Sequence, residues 1–240
     1  MPMCYHISLE NKKQVEAMQK PIRSHIPFVP KYHFNGFDKP MIPVLSILDP
    51  GTIELFRWRL VPEWVKKESE WKANTLNARN DELFEKSAYR DYWQNRCLVL
   101  CTGFFEPHTP GGTTQTHSWY IKPAHGGLFT LGGIFTRWKD LFTFSIITTD
   151  AGPHMAAIHN EGERMPLILE GEAAEAWLSP TLTQSRMKEL MVPYTDESRL
   201  TTYRVMDGVF NARLDTNCAE VLKEHPTGSR LNEGGTLSLF

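Results

Sequence analysis

Between Cys97 and Asp150 the chain reads as one strand after another: "CLVLCTGFFE", "SWYIKP", "LFTLGGIFT" and "LFTFSIITT", separated by the turn clusters "TPGGTT" and "AHGG". Short apolar runs rich in aromatic and β-branched residues, punctuated by glycine and proline, are the pattern of strands joined by reversals. Two earlier runs, "MIPVLSIL" and "TIELFRWRL", add strands split by a turn at "DPG", and "TTYRVM" supplies a late one. Helical spacing is scarcer. It predicts a short helix from Leu9 to Lys20 ended by Pro21, and a second over "DELFEKSAYRDYWQNR", with Leu83, Tyr89, Tyr92 and Trp93 at helical intervals. A third helix is expected around Glu172 to Leu178, followed by "SRMKELM". The stretch "VPEWVKKESEWKANTLNARN" reads as irregular, exposed loop. Many short strands with a few helices between them predict an α+β fold: a single domain on an antiparallel, barrel-like β-sheet core with several peripheral helices.

At 240 residues, one large domain can bury roughly 70% of its unfolded surface. No repeat or long linker divides it, so a domain over residues 1–224 and a loose tail over 225–240 are expected. No apolar run approaches the roughly 20 residues of a membrane helix, and no basic stretch precedes an apolar core at the N-terminus. The expected compartment is the cytoplasm, with no membrane partner. A net charge of −2 lacks the basic footprint of a general nucleic-acid binder. Of four cysteines, Cys97 and Cys101 share a strand face but stand about 13 Å apart, too far for a disulfide or shared metal. Neither C-x-x-C pairs nor H-E-x-x-H occur, so no metal and no cofactor are expected.

Four polar clusters interrupt apolar surroundings. In "TLNARN", Asn77 and Arg79 lie two apart, which in extended chain puts both on one side. In "GFFEPH", Glu106 ends an apolar strand at Pro107, where partial desolvation raises a carboxyl pKa and suits it to proton transfer. "AAIHNEGERMP" offers His159 and Arg164, and Cys4 stands near the start of "MPMCYHISL". Singly, each has an ordinary structural role. Together they carry a resemblance.

From Cys4 to about Glu224 the chain resembles the SOS response-associated peptidase (SRAP) family, whose members act on abasic sites in DNA. The resemblance rests on the early Cys, "RWRLVPEWV", "LNAR", "YRDYW", "RCLVLCTGFFEP", "GGIFTRWKD", "FSIITTDA", "IHN…RMPLIL" and "EAWL", in that order. It implies an SRAP-like fold, binding to single-stranded DNA containing abasic sites, and covalent capture by a terminal cysteine. Such a residue offers an α-amine to condense with the sugar aldehyde and a thiol to close a thiazolidine ring. By similarity Asn77 would hold the amine or sugar, Glu106 would shuttle protons and His159 would assist sugar opening. Arg79 and Arg164 would grip flanking phosphates. Thr148 would be a polar neighbour, and Trp58 and Trp64 would stack on bases near the DNA channel.

This sequence departs from the family by carrying Met1-Pro2-Met3 ahead of Cys4. Covalent chemistry then requires a start at Met3 or self-cleavage after it, in keeping with the family's peptidase description. Two other functions compete: a non-covalent single-strand binding module, and a stand-alone cysteine or acid peptidase. No G-x-S-x-G elbow is present. Oligomeric state is not legible.

Overall fold

The computed structural model describes residues 4–226, 229–231 and 237–239. In chain order its strands and helices are β1 (His6–Leu9), α1 (Lys12–Glu16), β2 (Ile22–Arg23), β3 (Lys31–Asn35), β4 (Met41–Ser46), β5 (Asp49–Trp58) and β6 (Asn77–Arg79). There follow β7 (Arg96–Cys101), β8 (Gly103–His108), β9 (His117–Pro123), β10 (Phe129–Trp138), β11 (Leu141–Asp150), α2 (Pro153–Ile158) and β12 (Arg164–Pro166). The chain ends with α3 (Gly171–Trp177), α4 (Gln184–Leu190), β13 (Leu200–Arg204) and an antiparallel pair, β14 (Ser229–Leu231) and β15 (Leu237–Leu239). Of the tail expected to be loose, residues 227–228, 232–236 and 240 lie outside the described residues.

The α+β expectation holds, and the barrel is a literal ring. Strands β11, β10, β7, β4 and β5 pair in that order, and β5 pairs back with β11. The closing contact is parallel, with Thr143 opposite Arg57 and Phe144 opposite Trp58, whereas the other four pairings are antiparallel. Closing the ring leaves those strands without a free edge. Its aromatic filling includes the fully buried Phe56, stacked at 4.7 Å on the half-buried Phe142, a fully buried ring of this size contributing about 1.5–3 kcal/mol. A second sheet runs β13-β9-β8-β1-β3. Its Phe105 and Tyr120 pack with Val205, Val209 and Val221 of the C-terminal segment. Among the described residues no helix is long and apolar enough to cross a membrane.

Several sequence expectations are corrected. Residues 81–95 form a run of turns instead of a helix, mixing bonds such as Lys86 N–H to Glu82 O (3.0 Å) with Tyr92 N–H to Tyr89 O (2.8 Å). Leu83 and Tyr89 are both buried, yet six helical residues would set them about 120° apart, on different faces. The chain bends to bury both. The first helix shrinks to Lys12–Glu16 because Leu9 belongs to β1 and Asn11 caps the Lys13 N–H. The reversal between β4 and β5 falls at Ile47-Leu48, and Asp49-Pro50-Gly51 opens β5 itself. A register shift between Leu45 and Ser46 absorbs the irregularity.

The two sheets meet where chemistry was expected. In the second sheet Ile7 and Ser8 of β1 face Phe104 and Gly103 of β8, bringing Cys4 alongside Glu106. In the first, β6 lies parallel to β11, with Asn77 opposite Ile146 and Arg79 opposite Thr148. Asn77–Arg79, expected within irregular loop, is therefore a strand joined to the ring.

Candidate active site

Cys4, Asn77, Glu106 and His159 converge at this junction, and all four are buried. The Asn77 amide donates to the Cys4 carbonyl at 3.1 Å. The Tyr89 hydroxyl donates to the Asn77 carbonyl at 2.8 Å, and the Trp58 indole N–H donates to the Leu76 carbonyl at 2.9 Å. Those two aromatics fix the short strand on which Asn77 sits.

His159 ends α2, and its position is set from β8. The His108 ring lies 3.1 Å from the carbonyls of both Ala157 and Ile158, while Asn160 and Thr109 exchange two hydrogen bonds, at 3.1 and 2.7 Å. The His159 Nδ1–H donates to the Arg164 carbonyl at 2.9 Å and stands 3.7 Å from Glu106 Oε2. In a neutral ring Nε2 then carries the lone pair, and it is buried without a partner. Gly162 packs flat on that imidazole: a Cβ there would lie 2.5 Å from Nε2. The requirement for glycine is steric. Neither His108 nor Gly162 was singled out in the sequence, though His108 sits two residues from Glu106 in one strand.

Glu106 is fully buried and both its carboxylate oxygens lack a hydrogen-bond partner of ordinary geometry. Burial pushes its pKa up to about 7, with nearby His159 and the thiol and amide of Cys4 offsetting part of the rise. Burial also raises the Cys4 thiol well above its usual range, and the facing Glu106 and Cys101 add to that. Asn77 Oδ1 is likewise buried and unpartnered. The cluster therefore holds an acid able to gain or lose a proton near neutrality, an open amide acceptor and an open imidazole nitrogen around one sulfur. Such a set suits carbonyl addition and proton transfer. Among the described residues no group of three or more metal-ligating side chains occurs.

The remaining candidates divide. Arg164 is buried, donating to Asp150, to Asn80 Oδ1 at 2.9 Å and to the Thr148 carbonyl at 2.6 Å. Thr148 is fully buried, so its contribution here is mainly that carbonyl. Arg79 forms a two-pronged pair with Asp81 at 3.0 and 2.7 Å, and Asp81 also stands 4.0 Å from Arg164. Both arginines thus border the cluster with carboxylates on their forks. Trp58 corrects the sequence reading: fully buried and stacked on Phe144, it offers no face to a base. Trp64 is 55% exposed, edge-on to Trp71 at 5.3 Å, near a group in which Lys39, Arg57 and Arg59 share Glu68.

A family model described as SOS response associated peptidase (SRAP) matches residues 3–212. This chain belongs to the SRAP family. An abasic site processing protein of Saccharomyces cerevisiae is 35% identical over 170 residues, 67% of this chain and 45% of the yeast protein. Abasic site processing protein YoqW of Bacillus subtilis is 30% identical over 210 residues, 82% of this chain and 90% of its own length. The chain spans less than half the length of the yeast relative and of a chicken one, at 45% and 44%. A crystal structure of a Bacteroides thetaiotaomicron protein superposes with a TM-score of 0.81 at 30% identity, covering 92% of this chain and all of that one. The SRAP fold is therefore shared along nearly the whole chain, and the junction cluster lies within the matched segment.

Proposed function

We propose that this SRAP chain captures abasic sites in single-stranded DNA through Cys4, after the residues ahead of it are removed. The observation that carries the reading is the gathering of Cys4, Asn77, Glu106 and His159 in one buried cluster whose polar atoms are left open. A freed Cys4 α-amine, with an ordinary pKa of about 7.7–8.0, is substantially neutral near physiological pH. Its nitrogen adds to C1′ of the ring-opened sugar, giving a carbinolamine. Protonation of the new hydroxyl releases water and leaves a Schiff base. The thiol then adds across the C=N bond, sulfur to carbon and proton to nitrogen, closing the thiazolidine with no further loss of atoms.

In this scheme Glu106, near half-protonated at neutral pH, delivers the proton for water loss and takes one back. Asn77 Oδ1 accepts from the α-amine and aims its lone pair. His159 Nε2 exchanges the proton at the sugar ring oxygen as the ring opens. Self-processing uses the same acid: hydrolysis at the Met3–Cys4 bond needs a proton delivered to the departing nitrogen, and the Cys4 amide faces Glu106. Arg79 and Arg164 hold phosphates by exchanging Asp81 and Asp150 for phosphate oxygens. Trp64, with Lys39, Arg57 and Arg59 nearby, supplies a stacking and electrostatic surface for the strand. The compartment that goes with this reading is the cytoplasm.

Versions of the chain beginning at Met1 and at Met3 are incubated with single-stranded DNA bearing one abasic site and run on a denaturing gel. A shifted band from the Met3 version, absent with Cys4→Ser, is the expected result. A native shift without a denaturing one would favour the non-covalent module, and cleavage of unrelated proteins would favour the peptidase.

A further inference from the structure

His159 also borders an open pocket of about 370 Å³ to which neither Cys4 nor Glu106 contributes. Its other walls include Pro107 and Ser118 from facing positions of β8 and β9, Glu161, Phe210 and Asn211. That volume lies within the range of small-ligand sites. Ser118 is 1% exposed and its hydroxyl has no hydrogen-bond partner; His159, equally buried, leaves Nε2 unpartnered. Buried polar groups are seldom left open without a ligand or water to satisfy them. The Phe210 ring meets His6 edge-on at 5.0 Å, and His6 in turn stacks on His33 at 5.0 Å. That backing holds the aromatic wall in place.

The lining decides what fits. It contains no lysine or arginine, and Glu161 stands at its exposed side, so a phosphate would meet repulsion without a counter-charge. An aromatic face, a hydroxyl that both donates and accepts, an amide and a bare imidazole nitrogen suit a flat, uncharged, hydrogen-bonding ring. We propose that this pocket receives the base of a nucleotide adjoining the abasic site, with Phe210 against its face and Ser118 and Asn211 on its edge. The inference rests on the reading of the neighbouring cluster as an abasic-site centre. Seating a base there anchors the strand beside His159 while the arginines hold phosphates elsewhere.

The test uses the full chain carrying Cys4→Ser, so that binding is read without covalent capture. Fluorescence anisotropy measures affinity for single-stranded oligonucleotides with a tetrahydrofuran lesion whose neighbour on either side is thymine or a second baseless residue. Removing the neighbouring base on one side is expected to weaken binding by about 5- to 20-fold, as loss of one stacked base does. In Phe210→Ala that dependence should fall below about 2-fold, and Ser118→Ala and Asn211→Ala, checked for unchanged melting, should each reduce it in part. Lesion binding that is indifferent to the neighbouring base in every variant would overturn the pocket assignment while leaving the abasic-site reading intact. Saturation-transfer NMR with free thymidine and a neutral tripeptide covers the case of no lesion binding. Thymidine signals lost in Phe210→Ala would support the pocket; a signal from the tripeptide alone, or from neither, would overturn it.

Discussion

Arg96 and Glu106, the two most deeply buried charged side chains among the described residues, are treated oppositely by the chain. Arg96, at the start of β7, donates to the carbonyls of Trp177 at 2.8 Å and Ser179 at 2.7 Å, with a longer bond to Trp93 at 3.4 Å. Its guanidinium ties the ring to the end of α3. Glu106, at the junction of the sheets, has no hydrogen bond of ordinary geometry at either oxygen, faces among the described residues only the Cys4 thiol and amide and the His159 ring, and has a pKa raised to about 7. A buried charge that is fully hydrogen-bonded holds architecture; one left open is a cost the fold sustains for chemistry. The two sites differ in what surrounds the charge, not in depth.

The comparison breaks most completely at Cys4. Cys4→Ser leaves the fold in place and should abolish covalent product on a denaturing gel, since the ring needs sulfur. Glu106→Gln should slow capture by about 100-fold, the scale of one proton-transfer group, while making the protein more stable. The raised pKa means that the native state binds more protons than the unfolded chain between about pH 4.5 and 7. Wild-type stability therefore falls as pH rises through that window and levels off above it. Glutamine removes this loss, so urea denaturation at pH 8 should favour the variant by up to about 3 kcal/mol, an advantage that vanishes below about pH 4.5.

Arg96→Met should do the reverse. Stripping donors from two buried carbonyls should cost about 3 kcal/mol in urea denaturation, with the capture rate per folded molecule unchanged. Gly162→Ala gives the smallest effect: the buried imidazole must shift to admit the methyl, which should cost about 1 kcal/mol in urea denaturation. Displacing the imidazole should lower the capture rate by about 10-fold and alter its pH profile, because sub-ångström misplacement of a reacting group is costly. A wholly structural role for Gly162 would lower stability and leave the profile alone.

Much of this was legible in the chain, and the limits have physical reasons. Alternation and turn clusters mark the strands because side chains repeat every two residues, but ring closure depends on the parallel meeting of Arg57 and Trp58 with Thr143 and Phe144, distant in sequence. The turns of residues 81–95 carry helix-like spacing locally, and only the separate anchoring of Tyr89 on Asn77 and of Tyr92 on Glu63 bends them. Trp58 differs for a similar reason: the resemblance implies a stacking role near the DNA channel, but its indole is buried and holds the Leu76 carbonyl. Glu106 at the end of an apolar strand did announce a desolvated acid. Gly162 did not announce itself, because a lone glycine in a polar loop reads as a turn.

Titration of the Glu106 carboxyl by carbon-13 NMR, assigned by its disappearance in Glu106→Gln, tests the central claim most directly. The account requires a midpoint of about 7. A midpoint below about 5, where an ordinary glutamate titrates, would mean that the carboxylate is satisfied in solution and would contradict its role as the proton carrier beside Cys4.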